Sequence, residues 1–176
     1  MHLSDKAQSQ FLLKLHDAVF ASVLACFAQG LDLMARADER EGWNLDFVSV
    51  INVWRAGCII RSDYVADLLE RHYKRAMTAE SKDKAHPLCG DEISRDLRRC
   101  LPALKTVLIA GLEFNAHMPC LSASLEYLKY MACTNLPTSF MEAQLDCFGA
   151  HGYDLKSEVV QRFAKGRHHN SWSVAA

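Results

Sequence analysis

The sequence predicts an all-α protein. Apolar residues advance by three or four along most of the chain, and prolines stand where first helical turns accept them. No run of alternating apolar and polar residues bounded by turn residues is long enough for a strand. With 176 residues, 50% hydrophobic and 23% charged, the chain suffices for a globular domain with a substantial core.

The first helix is marked by Leu12, Leu15, Val19, Val23, Phe27, Leu31 and Met34, which place one amphipathic stripe from about Asp5 to Arg40, ending at Gly42. Asn44 is a candidate cap for the second helix, predicted to continue through INVWRAGCIIRS to about Ser62. On that helix Trp54, Cys58 and Arg61 share one side, Arg55 lies on another, and Arg61 in the last turn suits the helix dipole. Gly57 costs the helix roughly 1 kcal/mol relative to alanine, which points to a neighbouring backbone packed closely there. Ser62 caps a third helix, DYVADLLERHYKRAM, with Tyr64, Leu68 and Tyr73 roughly on one side, and the polar link TAESKDKAHPLCG follows. Ile93, Leu97, Leu101, Leu104, Leu108 and Leu112 mark a fourth helical stretch, which Pro102 should kink or restart near Cys100. Pro119 and Pro137 open two further helices, PCLSASLEYLKYM and PTSFMEAQLDCF. The division expected is an all-helical domain over 1–148 and a tail over 149–176. Gly149 is expected to be the left-handed cap that turns the chain away from the helices.

The formal net charge is −1 and the pI about 6.7, which gives no overall pull toward nucleic acid or an anionic membrane. Seven cysteines, an odd number with no C-x-x-C, fit neither a zinc ribbon nor a disulfide framework and point to a reducing, cytoplasmic setting. They read as small apolar core residues. The longest apolar run, Ala18 to Ala28, is too short to span a bilayer, and Asp5 and Asp17 lie where a signal peptide would be positive. No membrane partner and no targeting segment are expected. His168 and His169 are adjacent without a third ligand at helical spacing, so no metal is expected there, and His16, His72 and His117 read as surface or partly buried helix residues.

Three segments in order carry a resemblance. WRAGCIIRS is similar to the W-R-G-G-C-I-I-R-[AS] stretch of the 6-phosphogluconate dehydrogenase family. MPCLSASLEYLKY and LPTSFMEAQLDCFGAHGY resemble that family's P-x-x-x-x-[AS]-L-x-[YF] and L-P-x-x-x-x-x-x-Q-R-D-x-F-G-x-H segments. The likeness runs from about Asp5 to Trp172 and implies a multi-helix bundle of the family's C-terminal domain type with an extended tail. It implies an enzyme that oxidises 6-phosphogluconate with NADP and releases carbon dioxide to give ribulose 5-phosphate in the pentose phosphate pathway. The family's nucleotide-binding fold and its proton-transferring lysine and glutamate lie upstream of the matched region. NADP is therefore expected to be bound mainly by an N-terminal domain absent from this sequence, whose eight glycines include no G-x-G-x-x-G.

The resemblance assigns this chain no catalytic residue; it implies a homodimer, inactive as this chain alone, that lends residues to the partner subunit's substrate pocket. In the family's Q-R-D-x-F-G-x-H motif the arginine and histidine reach the substrate across the dimer. Here the histidine is His151, and Leu145 stands in place of the arginine. Leucine cannot grip phosphate, and losing a charge-assisted contact costs about 1.5 to 3 kcal/mol. The tail cations Lys156, Arg162, Lys165 and Arg167, with His168 and His169, are an alternative source of charge, although a solvated basic tail is the simpler reading. Asp146 precedes His151 by five residues across a helix end, a spacing that leaves open whether it orients the imidazole. Tyr153, Phe163 and Trp172 are expected to anchor the tail on a partner subunit. The competing class is a non-enzymatic helical dimerisation module, or a degenerate paralogue that has lost phosphate binding.

Overall fold

The computed structural model describes residues 4–77, 86–133, 135–155 and 168–172. Among them are six α-helices and no strand: α1 Asp5–Glu41, α2 Phe47–Gly57, α3 Asp63–Met77, α4 Asp91–Glu113, α5 Pro119–Ala132 and α6 Thr138–Gly149. A 3₁₀ turn, Pro87–Cys89, precedes α4. The all-α class and the six-helix order stand as the periodicity predicts. The chain forms two compact units, Met1–Lys129 and Tyr130–Ala176.

In the first unit α1 and α4 make the most extensive helix pairing. Small residues on α1 (Ala18, Ala21, Ala25) allow close approach, and Leu24, Leu31, Leu104 and Cys100 fill the centre. An 18-residue window of α1 has a mean hydropathy of 1.7, long and apolar enough by composition to cross a membrane, but 44% of that window is buried inside the chain. Polar pairs tie the rim: Arg99 to Asp17 at 3.3 Å between α4 and α1, Arg71 to Glu92 at 3.0 Å and the Tyr64 hydroxyl to Asp96 at 2.9 Å between α3 and α4.

Ser4 caps α1, and Gly42 ends it in the left-handed region with its N–H donated to Asp38 O at 2.8 Å. The cap of α2 is Asp46, whose side chain accepts from Val48 N–H at 3.1 Å, and not Asn44. Asn44 instead takes φ 57° and closes the preceding turn on Gly42 O. Ser62 does cap α3, through Val65 N–H at 3.4 Å.

The stretch WRAGCIIRS departs most from expectation. α2 ends at Gly57, with Cys58 extended beyond it, so Arg61 lies in a turn and shares no helical side with Trp54. The basic residue of the last turn is Arg55, which binds Asp67 and approaches Glu70 on α3. Nothing lies within 4 Å of where a Gly57 side chain would begin; that glycine marks the helix end. Close approach occurs instead at Gly111 on α4, where an added Cβ would sit 1.7 Å from the Met118 methyl.

Pro102 neither restarts α4 nor ends it. Pro102 and Arg98, whose carbonyl the proline leaves without an N–H, both lie on the exposed side of α4. Of the seven cysteines, all free, Cys100 is buried and Cys58 half-buried, while Cys26, Cys89, Cys120, Cys133 and Cys147 are exposed, against the expectation of core residues. Cys26, Cys120 and Cys147 lie on exposed faces of α1, α5 and α6, Cys89 in the 3₁₀ turn and Cys133 just beyond α5.

The stripe on α4 ends in the open: Leu104 is fully buried, whereas Leu112 is 75% exposed. Leu104→Ala should destabilise the domain by about 2 to 5 kcal/mol and Leu112→Ala by no more than about 0.5 kcal/mol in urea unfolding. Equal losses would show that the two positions share one environment.

Candidate functional site

The site is built in the second unit around the end of α6. That helix starts after Pro137 and runs to Gly149, one residue further than the sequence suggests. The left-handed cap is Ala150, at φ 50°, and its N–H donates to Asp146 O at 2.9 Å. A left-handed alanine costs roughly 1 to 2 kcal/mol, so the surrounding contacts must hold it. Gly149 serves another purpose: a Cβ there would lie 2.8 Å from His151 Nε2, so the missing side chain makes room for the imidazole. His151 itself is exposed.

The contacts that hold the turn converge on Asp146, whose side chain is inaccessible to solvent. Oδ1 accepts the Gly152 N–H at 2.9 Å and pairs with His169 Nδ1 at 2.9 Å. Oδ2 accepts the Asn170 N–H at 3.0 Å and the Trp172 indole N–H at 2.9 Å. An ionised carboxylate has about four acceptor positions, and here donors fill them. Because that carboxylate can only accept, His169 must carry a proton on Nδ1. Burial pushes the Asp146 carboxyl upward, but the N–H groups of Asn170, His169, Trp172 and Gly152 outweigh it and hold the group well below the usual carboxylate range.

One further contact fixes the two ends of the tail together. Tyr153 and His168 form an antiparallel bridge, N–H to O at 2.9 and 3.0 Å, with their rings 6.0 Å apart. Residues 150–155 and 168–172 are therefore both tied to α6 of their own chain, and the Trp172 indole N–H binds Asp146 while its ring stays 43% exposed. Phe163 and the cations Lys156, Arg162, Lys165 and Arg167 lie outside the described residues.

His151 is flanked by two peptide N–H groups that both bind Asp146, but its ring is not among the carboxylate's donors. Leu145 projects from α6, 52% exposed. His169 was missed as a functional partner because 23 residues separate it from Asp146. Elsewhere His16 is exposed beside Asp17, His117 is exposed before α5 rather than on a helix, and half-buried His72 has its ring against Tyr73. No group of three or more metal-ligating side chains occurs among the described residues.

Comparison with known proteins agrees with the fold. The C-terminal domain of 6-phosphogluconate dehydrogenase matches residues 2–172. A decarboxylating 6-phosphogluconate dehydrogenase of Emericella nidulans is 44% identical over 164 residues, 92% of this chain and 32% of that relative. The Treponema pallidum enzyme of the same name is 30% identical over 97% of this chain and 33% of its own length. A solved Plasmodium falciparum 6-phosphogluconate dehydrogenase, described with its cofactor NADP+ and with its substrate 6-phosphogluconate, superposes with a TM-score of 0.78 at 26% identity, covering 98% of this chain and 34% of that one. The chain spans about a third of the length of the curated relatives it matches. With six helices in the order the motifs require and a domain match across almost its whole length, the chain belongs to the 6-phosphogluconate dehydrogenase family, as its C-terminal domain.

Proposed function

We propose that this chain is the helical, dimer-forming part of an NADP-dependent, decarboxylating 6-phosphogluconate dehydrogenase, inactive alone, and that it lends His151 to the substrate site of a partner subunit. The observation that carries this reading is the domain match over residues 2–172. His151 supports it in detail: the ring is exposed, while the backbone on either side is fixed by hydrogen bonds to Asp146. A neutral imidazole can donate one hydrogen bond to an anionic substrate, and a protonated one adds charge.

NADP would supply the hydride acceptor of such a dehydrogenase. The described residues include no strand opening into a glycine-rich turn, so they do not fit a dinucleotide pyrophosphate. The free cysteines favour a reducing cytoplasm.

Dimer formation is supported by the apolar surface left open in each unit. In the first, a groove of about 1040 Å³ is lined by α1, the turn after α2 and the start of α5, with Val19, Val23 and Ile59 exposed. In the second, α6 exposes Phe140, Met141, Leu145 and Phe148. Contiguous apolar faces on this scale are characteristic of interfaces.

One observation favours a second reading, a paralogue that keeps the dimer and has lost its grip on phosphate: position 145 carries leucine, exposed and without a charge to offer.

Assays of NADP reduction with 6-phosphogluconate separate the readings. The isolated chain should show no turnover, and measurable activity would overturn its assignment as an accessory domain. In the dehydrogenase that carries this chain, Leu145→Arg should tighten 6-phosphogluconate binding roughly tenfold or more, through a restored charge-assisted contact. Turnover in the unsubstituted dehydrogenase supports the enzyme reading, whereas no turnover even with arginine at 145 supports the paralogue. Light scattering at micromolar concentration should report a dimer, and a stable monomer would count against the dimer-forming role.

A further inference from the structure

We infer that Asp146 is a positioning residue for the substrate site: one carboxylate binds both the peptide after His151 and the 168–172 segment, so that the placement of His151 depends on docking of the chain's end. This rests on the reading of His151 as a substrate contact and assigns a role to a residue that reading does not use.

The argument begins with the backbone. The Ala150 N–H goes to the Asp146 carbonyl and the Gly152 N–H to Asp146 Oδ1, so His151 is held between two hydrogen bonds to a single residue. Ala150 at φ 50° and Gly152 at φ 78° bracket it with left-handed turns that these bonds maintain. The same Oδ1 meets His169, while Oδ2 holds the Asn170 N–H and the Trp172 indole N–H. Removing the 168–172 donors would leave the buried carboxylate with one donor of its four, and rotation toward water would release Gly152 with it.

A purely local capping role explains this poorly. Asp146 lies in the last turn of α6, where the helix dipole disfavours a negative charge. A neutral or cationic side chain would suit the helix end better; a carboxylate suits the four donors. An amide could not replace it, because its NH₂ half would face two N–H donors.

The test uses Asp146→Asn, Trp172→Phe and His151→Ala in the dehydrogenase that carries this chain, together with the His151→Ala/Asp146→Asn double variant. Expected is a rise of about tenfold in KM for 6-phosphogluconate with Asp146→Asn, as for one lost hydrogen bond, with KM for NADP unchanged. The double variant should be no worse than His151→Ala alone, because Asp146 acts through that histidine. The Trp172 indole proton, assigned by its loss in Trp172→Phe, should move to a solvent-exposed shift in Asp146→Asn. If His151→Ala weakens substrate binding and Asp146→Asn does not, the positioning role is overturned and the histidine contact stands. If His151→Ala has no effect, both fall. Additive losses in the double variant would show that Asp146 acts on the fold and not through His151. Should Asp146→Asn fail to fold, the cycle of Trp172→Phe with His151→Ala carries the same test, since that change removes one donor from a ring 43% exposed, and additivity there overturns the proposal.

Discussion

A carboxylate withdrawn from water must be given donors, and this requirement at Asp146 organises the second unit. Two of its partners are backbone N–H groups and two are side chains, drawn from stretches before and after residues 156–167. Once those donors are committed, little else is free. The turn after α6 must bend left-handed at Ala150 to bring Gly152 round, and the Tyr153–His168 bridge follows because the two stretches already lie side by side. The bonds are directional and nearly uniform in length, between 2.9 and 3.0 Å, so they specify a geometry as well as supplying stability.

The first unit rests on the opposite kind of force. Its α1 and α4 core is apolar and non-directional, and the polar contacts that lock its register, Arg55 with Asp67 and Arg71 with Glu92 among them, lie at the margins. Exposed ion pairs of this sort contribute little each, so the burial of Leu24, Leu31, Ile51 and Leu104 dominates the stability of this unit. Burial by one chain is incomplete, however. Ile59 is fully exposed at the turn after α2, beside the groove on α1, and a protein that keeps such residues does so against the hydrophobic effect unless another surface covers them.

Legibility in the sequence followed the same divide. The helices are legible because their spacing repeats: the span of α1, the proline at the start of α5 and the Ser62 cap are local signals that the structure matches, but the face of α1 is not, since the core takes Ala18, Ala21, Leu24, Ala25 and Ala28 while Leu12, Val19 and Val23 of the expected stripe are exposed. What failed depended on contacts that spacing does not encode. The apolar run Ile51 to Ile60 reads as one helix, yet α2 stops at Gly57 and leaves Ile59 and Ile60 outside. Burial of the cysteines could not be inferred from residue type, since Cys100 and Cys120 differ only in which helix face the chain covers. Leu145 and His151 were found by resemblance, whereas the partnership of Asp146 with His169 and Trp172 left no local trace. A periodic pattern reports on neighbours three or four residues away, and these partners are 23 and 26 residues distant.

The geometry of α6 also bears on the leucine at 145. Successive helical residues point about 100° apart, so Leu145 and Asp146 face different surroundings: one 52% exposed, the other sealed beneath the chain's end. The hydrogen bonds of the Asp146 latch and of the Tyr153–His168 bridge use no atom of Leu145. Holding residues 168–172 thus falls to Asp146, while the adjacent position 145 is open to solvent. An arginine introduced at 145 could therefore change affinity for an anion by about an order of magnitude without altering the fold, because an exposed side chain there adds little to the packing beneath it.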